Sequence, residues 1–211
     1  MSKDVARVIG MVIIVVSLGV FAFETIGKRR ILSRLQRMLA DGDFEGALRM
    51  LDGKLPQVLF PRYNYLFMRL NALVALDRPK EVAQLVDDVL AMRLPDRQRI
   101  AVLVKAFDYF VEKGDKKRAK GLLASIDQTD DEMARRACHM AYDIFVSRSS
   151  QYIDDFERAL DGASDADRLR MMQLLAVQYE NRGDHEAARR YASQAEDLAV
   201  ALTKGKMGDE R

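Results

Sequence analysis

The chain has 211 residues, 49% of them hydrophobic and 31% charged, enough for one or two folded domains with a buried core. Its 34 Lys and Arg nearly balance 32 Asp and Glu, which excludes the bulk basic footprint of a nucleic-acid binder. Cys138 is the only cysteine, so no intramolecular disulfide can form and the stapled secreted domains are excluded as a class.

A short tail, residues 1–7, precedes an uncharged run of 16 residues, Val8 to Phe23. At ~1.5 Å per helical residue the run spans about 24 Å, somewhat less than a hydrocarbon core of ~30 Å. Carrying it through Gly27, with Glu24 snorkelling, gives 20 residues and a predicted transmembrane helix over 8–27. A buried core helix would be apolar on one stripe, whereas this run is apolar on every side. A cleaved signal peptide is the competing reading: Lys3 and Arg7 form an n-region, and Val20-Phe21-Ala22 offers a cleavage site. Asp4 dilutes that n-region, and Lys28, Arg29, Arg30, Arg34 and Arg37 follow the run, which opposes its translocation. The balance favours an uncleaved anchor, with Lys28, Arg29 and Arg30 at the membrane interface. The same basic residues predict that the C-terminal bulk is cytoplasmic; the alternative is an exported, outward-facing chain.

Helical periodicity fills the remainder. Apolar positions 31, 35, 38 and 39 mark a helix over Ile31–Ala40, and 44, 47, 48, 51 and 55 mark its partner over Phe44–Leu55. Tyr63–Leu76 pairs with Pro79–Met92, whose proline suits a first helical turn. Gln98–Lys113 pairs with Lys116–Ile126. Thr129 and Glu132 read as a capping box opening the next helix, which is followed by a short helix over Tyr152–Leu160. Asp165–Asn181 pairs with His185–Thr203, and residues 204–211, with Gly205 and Gly208, are expected to form a flexible tail.

The turns between these pairs repeat. Gly42-Asp43-Phe44-Glu45-Gly46-Ala47 returns as Gly114-Asp115-Lys116-Lys117-Arg118-Ala119 and as Gly183-Asp184-His185-Glu186-Ala187-Ala188, with Asp77-Arg78-Pro79-Lys80-Glu81-Val82 as a weaker copy. From 42 to 77 is 35 residues, from 77 to 114 is 37, and from 114 to 183 is 69, or two steps of 34.5. A further turn is therefore expected near 148, at Ser147-Arg148-Ser149-Ser150. Glycine suits the left-handed residue ending each first helix, and aspartate suits the cap of the second.

A helix–turn–helix unit recurring about every 34 residues resembles the tetratricopeptide repeat (TPR) family over residues 28–203. The family's small residue early in helix B corresponds to Ala47, Ala119 and Ala188. Its later positions correspond to Leu51, Leu123 and Ala192, then Ile126 and Ala195, and its helix A aromatic to Phe110 and Tyr179. No Trp opens a helix A, and Leu35, Leu70, Phe107 and Ala176 replace the family's glycine, so other helical-hairpin solenoids stay open. The resemblance implies an all-α fold: a right-handed α-solenoid of about five TPR-like hairpins after one transmembrane helix.

It further implies a concave wall built from helix A and a protein or peptide partner. Counting back from each turn places Asn64, Phe67 and Asn71 on that wall, then Val104 and Asp108 with Lys105 beside them, then Arg170, Gln173 and Val177. Leu32 and Phe67 stand where a lysine of the family's carboxylate clamp would fall. His139 and His185 have no metal-ligand spacing, and adjacent Cys138 and His139 point about 100° apart on a helix. No phosphate loop, nucleophile elbow or metal cluster appears. The expectation is a non-catalytic, membrane-anchored scaffold for protein–protein interaction, without cofactor, metal, nucleic acid or small-molecule substrate. The alternative is an exported envelope factor assisting secretion or assembly of other proteins.

Overall fold

A computed structural model describes residues 27–209, with side chains through Thr203. The expected membrane span 8–27 lies outside the described residues except for Gly27, as does the tail 1–7. Among the described residues no helix is long and apolar enough to cross a membrane.

Every described element is helical: α1 (27–40), α2 (Phe44–Leu51), α3 (Lys54–Leu59), α4 (Arg62–Ala75), α5 (Pro79–Leu90) and α6 (Asp96–Glu112). Then follow α7 (Lys116–Ile126), α8 (Glu132–Ala141) running into a π-helical turn (Tyr142–Val146), α9 (Ile153–Leu160), α10 (Asp165–Arg182) and α11 (His185–Asp209). Two compact units divide between Val102 and Leu103, inside α6.

In the first unit, Leu35 of α1 packs with Ala47 and Leu51 of α2, and Tyr65 and Met68 close over them. Helix α4 packs against both α2 and α5. Leu70 and Leu73 of α4 and Val82 and Val89 of α5 are almost wholly buried. Each such side chain contributes about 1.5–3 kcal/mol of transfer free energy, so the apolar stripes hold these hairpins shut. In the second unit α10 packs against α9 and α11, and α7 against α8. Its larger core joins Ile153, Leu175, Tyr179, Ala187, Ala188 and Tyr191.

Among the described residues five with positive φ mark five turns: Gly42 (75°), Asp77 (54°), Gly114 (67°), Arg148 (56°) and Gly183 (83°). At four of them the same two bonds close the helix. The left-handed residue donates three residues back, Gly42 N to Leu39 O or Gly114 N to Val111 O. The next residue donates five back: Asp43 N to Met38 O at 2.8 Å, Arg78 N to Leu73 O at 3.1 Å, Asp115 N to Phe110 O and Asp184 N to Tyr179 O at 2.9 Å. This is a Schellman closure, which satisfies the orphan carbonyls of helix A. The aspartates then cap helix B, with Asp43 Oδ1 accepting from Gly46 N at 2.8 Å and Asp115 Oδ1 from Arg118 N at 3.0 Å.

The turn at Arg148 falls where the period puts it but is built differently. Ser149 N reaches six residues back, to Asp143 O at 2.8 Å, so one extra residue is wound into the π turn.

Three expectations are corrected. Helix B of the first hairpin stops at Leu51 and not Leu55, because Gly53 takes an extended conformation and starts α3 afresh. Asp131, not Thr129, caps α8: its side chain accepts from Ala134 N at 2.9 Å, whereas the Thr129 hydroxyl donates to Ile126 O. Helix α11 runs to Asp209 rather than ending at Thr203.

Candidate partner-binding face

Asn64, Phe67 and Asn71 lie on α4 at i, i+3 and i+7, a single stripe. Asn64 is exposed, while Phe67 and Asn71 are half-buried. Tyr63 stacks on Phe67 with ring centroids 5.6 Å apart. These residues sit in the first unit. Lys28 is half-buried there, and Arg29 and Arg30 are exposed at the start of α1.

The other six belong to the second unit. Val104 and Lys105 are half-buried on α6, one turn from Asp108. The Asp108 carboxyl keeps solvent contact but is raised above its ordinary value by partial desolvation, an effect that Lys105 opposes. Arg170 and Gln173 are exposed on α10, and Val177 is half-buried.

Three concavities that share walls bring some of these together. The first, about 570 Å³, is lined by Asp108, Val111 and Glu112 of α6, with Gly114, Ala141 and Phe145. Phe145 also lines the second, about 470 Å³, with Ile144, Arg148, Val177, Asn181 and Ala188 among its walls. Ala176 and Ala192 pass from the second into the third, about 320 Å³, which Gln173 joins. Asp108, Val177 and Gln173 therefore line one row of hollows. Val104, Lys105 and Arg170 do not line it, and neither do the α4 residues.

Phe145, 46% exposed, is the wall common to two hollows, and the sequence reading passed over it. A signal for it existed: Val111, Phe145 and Glu180 each precede their turn's left-handed residue by three, and all three line these hollows. The fourth repeat lacks the Gly-Asp pair that marks this count in the third and fifth.

Amides on α10 fix the position of that π turn. Asn181 Nδ2 donates to Ile144 O at 2.8 Å and to Ser149 O at 3.2 Å. Gln178, fully buried, accepts from Tyr152 N at 3.0 Å through Oε1. Asp143 collects the Tyr152 hydroxyl at 2.6 Å and the Gln151 amide at 3.0 Å. The rim carries both signs, with Arg148 and Arg189 near Glu180, and Asp108 near Glu112.

Cys138 is 3% exposed, and burial first, then Asp108 and Asp127, pushes its thiol up to about 11. His139 turns to Asp127, Nε2 to Oδ1 2.7 Å, so the adjacent thiol and imidazole do not pair. Among the described residues no His, Cys, Asp or Glu cluster is arranged to hold a metal.

No protein-family model and no curated protein matches the chain. Among solved structures, the fold is similar to a crystal structure described as a Podosopora anserina kinesin light chain with nearly identical TPR-like repeats. The two superpose with a TM-score of 0.58 at 17% identity over 83% of this chain and 96% of that one. The chain thus has a TPR-like repeat fold.

Proposed function

We propose that the protein is a non-catalytic, membrane-anchored adaptor whose helix A face in the second unit receives a segment of a protein partner. The observation that carries this reading is the row of hollows sharing Phe145, Ala176 and Ala192. A ligand laid along them meets apolar walls at Phe145 and Val177, with acidic groups at Asp108 and Glu112. An extended or helical segment with a large apolar anchor and a basic residue beside it matches that order. Asn64, Phe67 and Asn71 form a second, amide-bearing stripe for the same class of ligand on the first unit. The uncharged Val8–Phe23 run serves as the anchor, and the basic residues after it keep the repeats cytoplasmic.

A photo-crosslinking side chain placed at Phe145 or Val177 in native membranes tests the partner face, with Asp87 on α5 as control. One dominant adduct from the first two positions, and none from Asp87, is expected. Phe145→Asp should lower its recovery about tenfold or more while leaving the melting temperature nearly unchanged. Adducts only from Asp87 would place the partner elsewhere. The exported alternative draws on Val20-Phe21-Ala22, and a mature chain beginning at Phe23 would establish it.

A further inference from the structure

Two apolar side chains on α3 stand far out of the first unit: Leu55 is 57% exposed and Val58 82%. They lie at i and i+3, on one side of the helix, while Leu59 turns inward and is buried. Single exposed apolar residues are ordinary. Here, however, Leu55 also lines a hollow of about 390 Å³ with Lys54, Arg30 and Arg34. Arg30 and Arg34, one turn apart on α1, are both exposed, as is Lys54. Among the described residues no acidic one lines the hollow, and the carboxylate of Asp52, next to Gly53 in its wall, faces Arg69.

The location matters as much as the chemistry. The Leu59 side chain approaches Gly27 so closely that a β-carbon there would sit 3.1 Å from Leu59 Cδ1. Helix α3 therefore packs beside the start of α1. Gly27 is four residues from Phe23, the end of the uncharged run, a reach of at most about 14 Å of chain.

We infer that Leu55 and Val58, with Arg30, Arg34 and Lys54, form a docking surface for an anionic lipid bilayer. The inference rests on the reading of Val8–Phe23 as an uncleaved span, which delivers this face to the membrane. The two apolar side chains enter the headgroup boundary, and the three cations take lipid phosphates and carboxylates around them. A cytoplasmic leaflet bears that negative charge, so the surface matches the proposed orientation.

The test uses the full chain carrying Val58→Cys and a nitroxide label, for which buried Cys138 does not compete. The protein is reconstituted in nanodiscs of phosphatidylcholine alone, or with about a third phosphatidylserine. Access of the label to oxygen, relative to an aqueous nickel chelate, reports its immersion. Immersion is expected in the anionic discs only, and should be lost at high salt. Arg30→Gln, Arg34→Gln and Lys54→Gln together should cut the immersed fraction about tenfold or more. The salt arm reads the same charge dependence on unmutated cations if that triple variant fails to fold.

A label that stays aqueous in anionic discs, or is immersed equally in neutral ones, overturns the inference. So does a label immobilised in lipid-free detergent as protein concentration rises, which reports a second copy on the face. Carbonate extraction of the same preparations separates the two readings. A retained chain with an aqueous label keeps the anchor and sinks the surface, whereas an extractable chain with an immersed label does the reverse.

Discussion

Glu157 accepts hydrogen bonds from the hydroxyls of Tyr179 and Tyr191, whose rings stack at 5.5 Å, and so ties α9 to α10 and α11. The two hydroxyls hold its carboxyl below the ordinary value, and burial followed by the bond to Glu157 pushes Tyr191 up to about 12. A lowered carboxyl stabilises the fold above its unfolded value, and that contribution fades as pH falls from about 4.5 through the folded value. A raised phenol stabilises below its unfolded value, and the contribution is lost as pH climbs from 10 toward 12. Tyr191→Phe should therefore flatten the fall in melting temperature over that alkaline range, as followed by circular dichroism. An unaltered alkaline limb would mean that the cluster carries no linkage. Ala119 sits at the opposite extreme, chemically inert and 0% exposed. Ala119→Trp should cost about 1–3 kcal/mol or more by overpacking, read as a lower urea midpoint.

Across one hairpin, what matters is how helix A hands over to helix B. Gly42, Gly114 and Gly183 take the left-handed conformation without a β-carbon to obstruct it, but Arg148 takes it at φ 56°. Arg148→Gly should relieve that strain and raise stability by about 0.5–1 kcal/mol, measured by thermal melting. The strained turn persists because α10 reaches back to it. Asn181→Ala removes both bonds to Ile144 O and Ser149 O, leaving partly buried carbonyls unmatched at a cost of about 1–3 kcal/mol. It should also disorder Phe145, so partner crosslinking from that position should fall with it. Should Asn181→Ala melt like the parent, the amide would not be what holds the π turn.

For the whole molecule, the uncharged run and the basic residues behind it make the sharpest expectation. The chain should fractionate with membranes and resist carbonate extraction. A reporter fused after Arg211 should be active only when it reads the cytoplasm, and Arg29→Glu with Arg30→Glu should weaken that bias. Activity of a periplasmic reporter would transfer the proposal to the exported alternative.

Helix positions and turn spacing were legible because each is set within a few residues. Apolar periodicity marks a buried stripe, a Gly-Asp pair encodes a left-handed residue followed by a cap, and their recurrence predicts even the turn at Arg148 that lacks the glycine. The break after Leu51 and the cap at Asp131 were misread because neighbouring residues offered nearly equivalent local choices, which packing then resolved. Asp108, Gln173 and Val177 could be counted to the lining from the repeat, since equivalent helix positions face the same way. Phe145 keeps the same offset from its turn, yet that turn lacks the Gly-Asp pair, and one extra residue is wound into α8 ahead of it. That winding is held by Asn181, whose amide reaches Ile144 O, 37 positions earlier in the chain. Local sequence specifies dihedral angles and amphipathic faces; a hydrogen bond between distant helices is a tertiary event, and it decided where the Phe145 wall of the hollows stands.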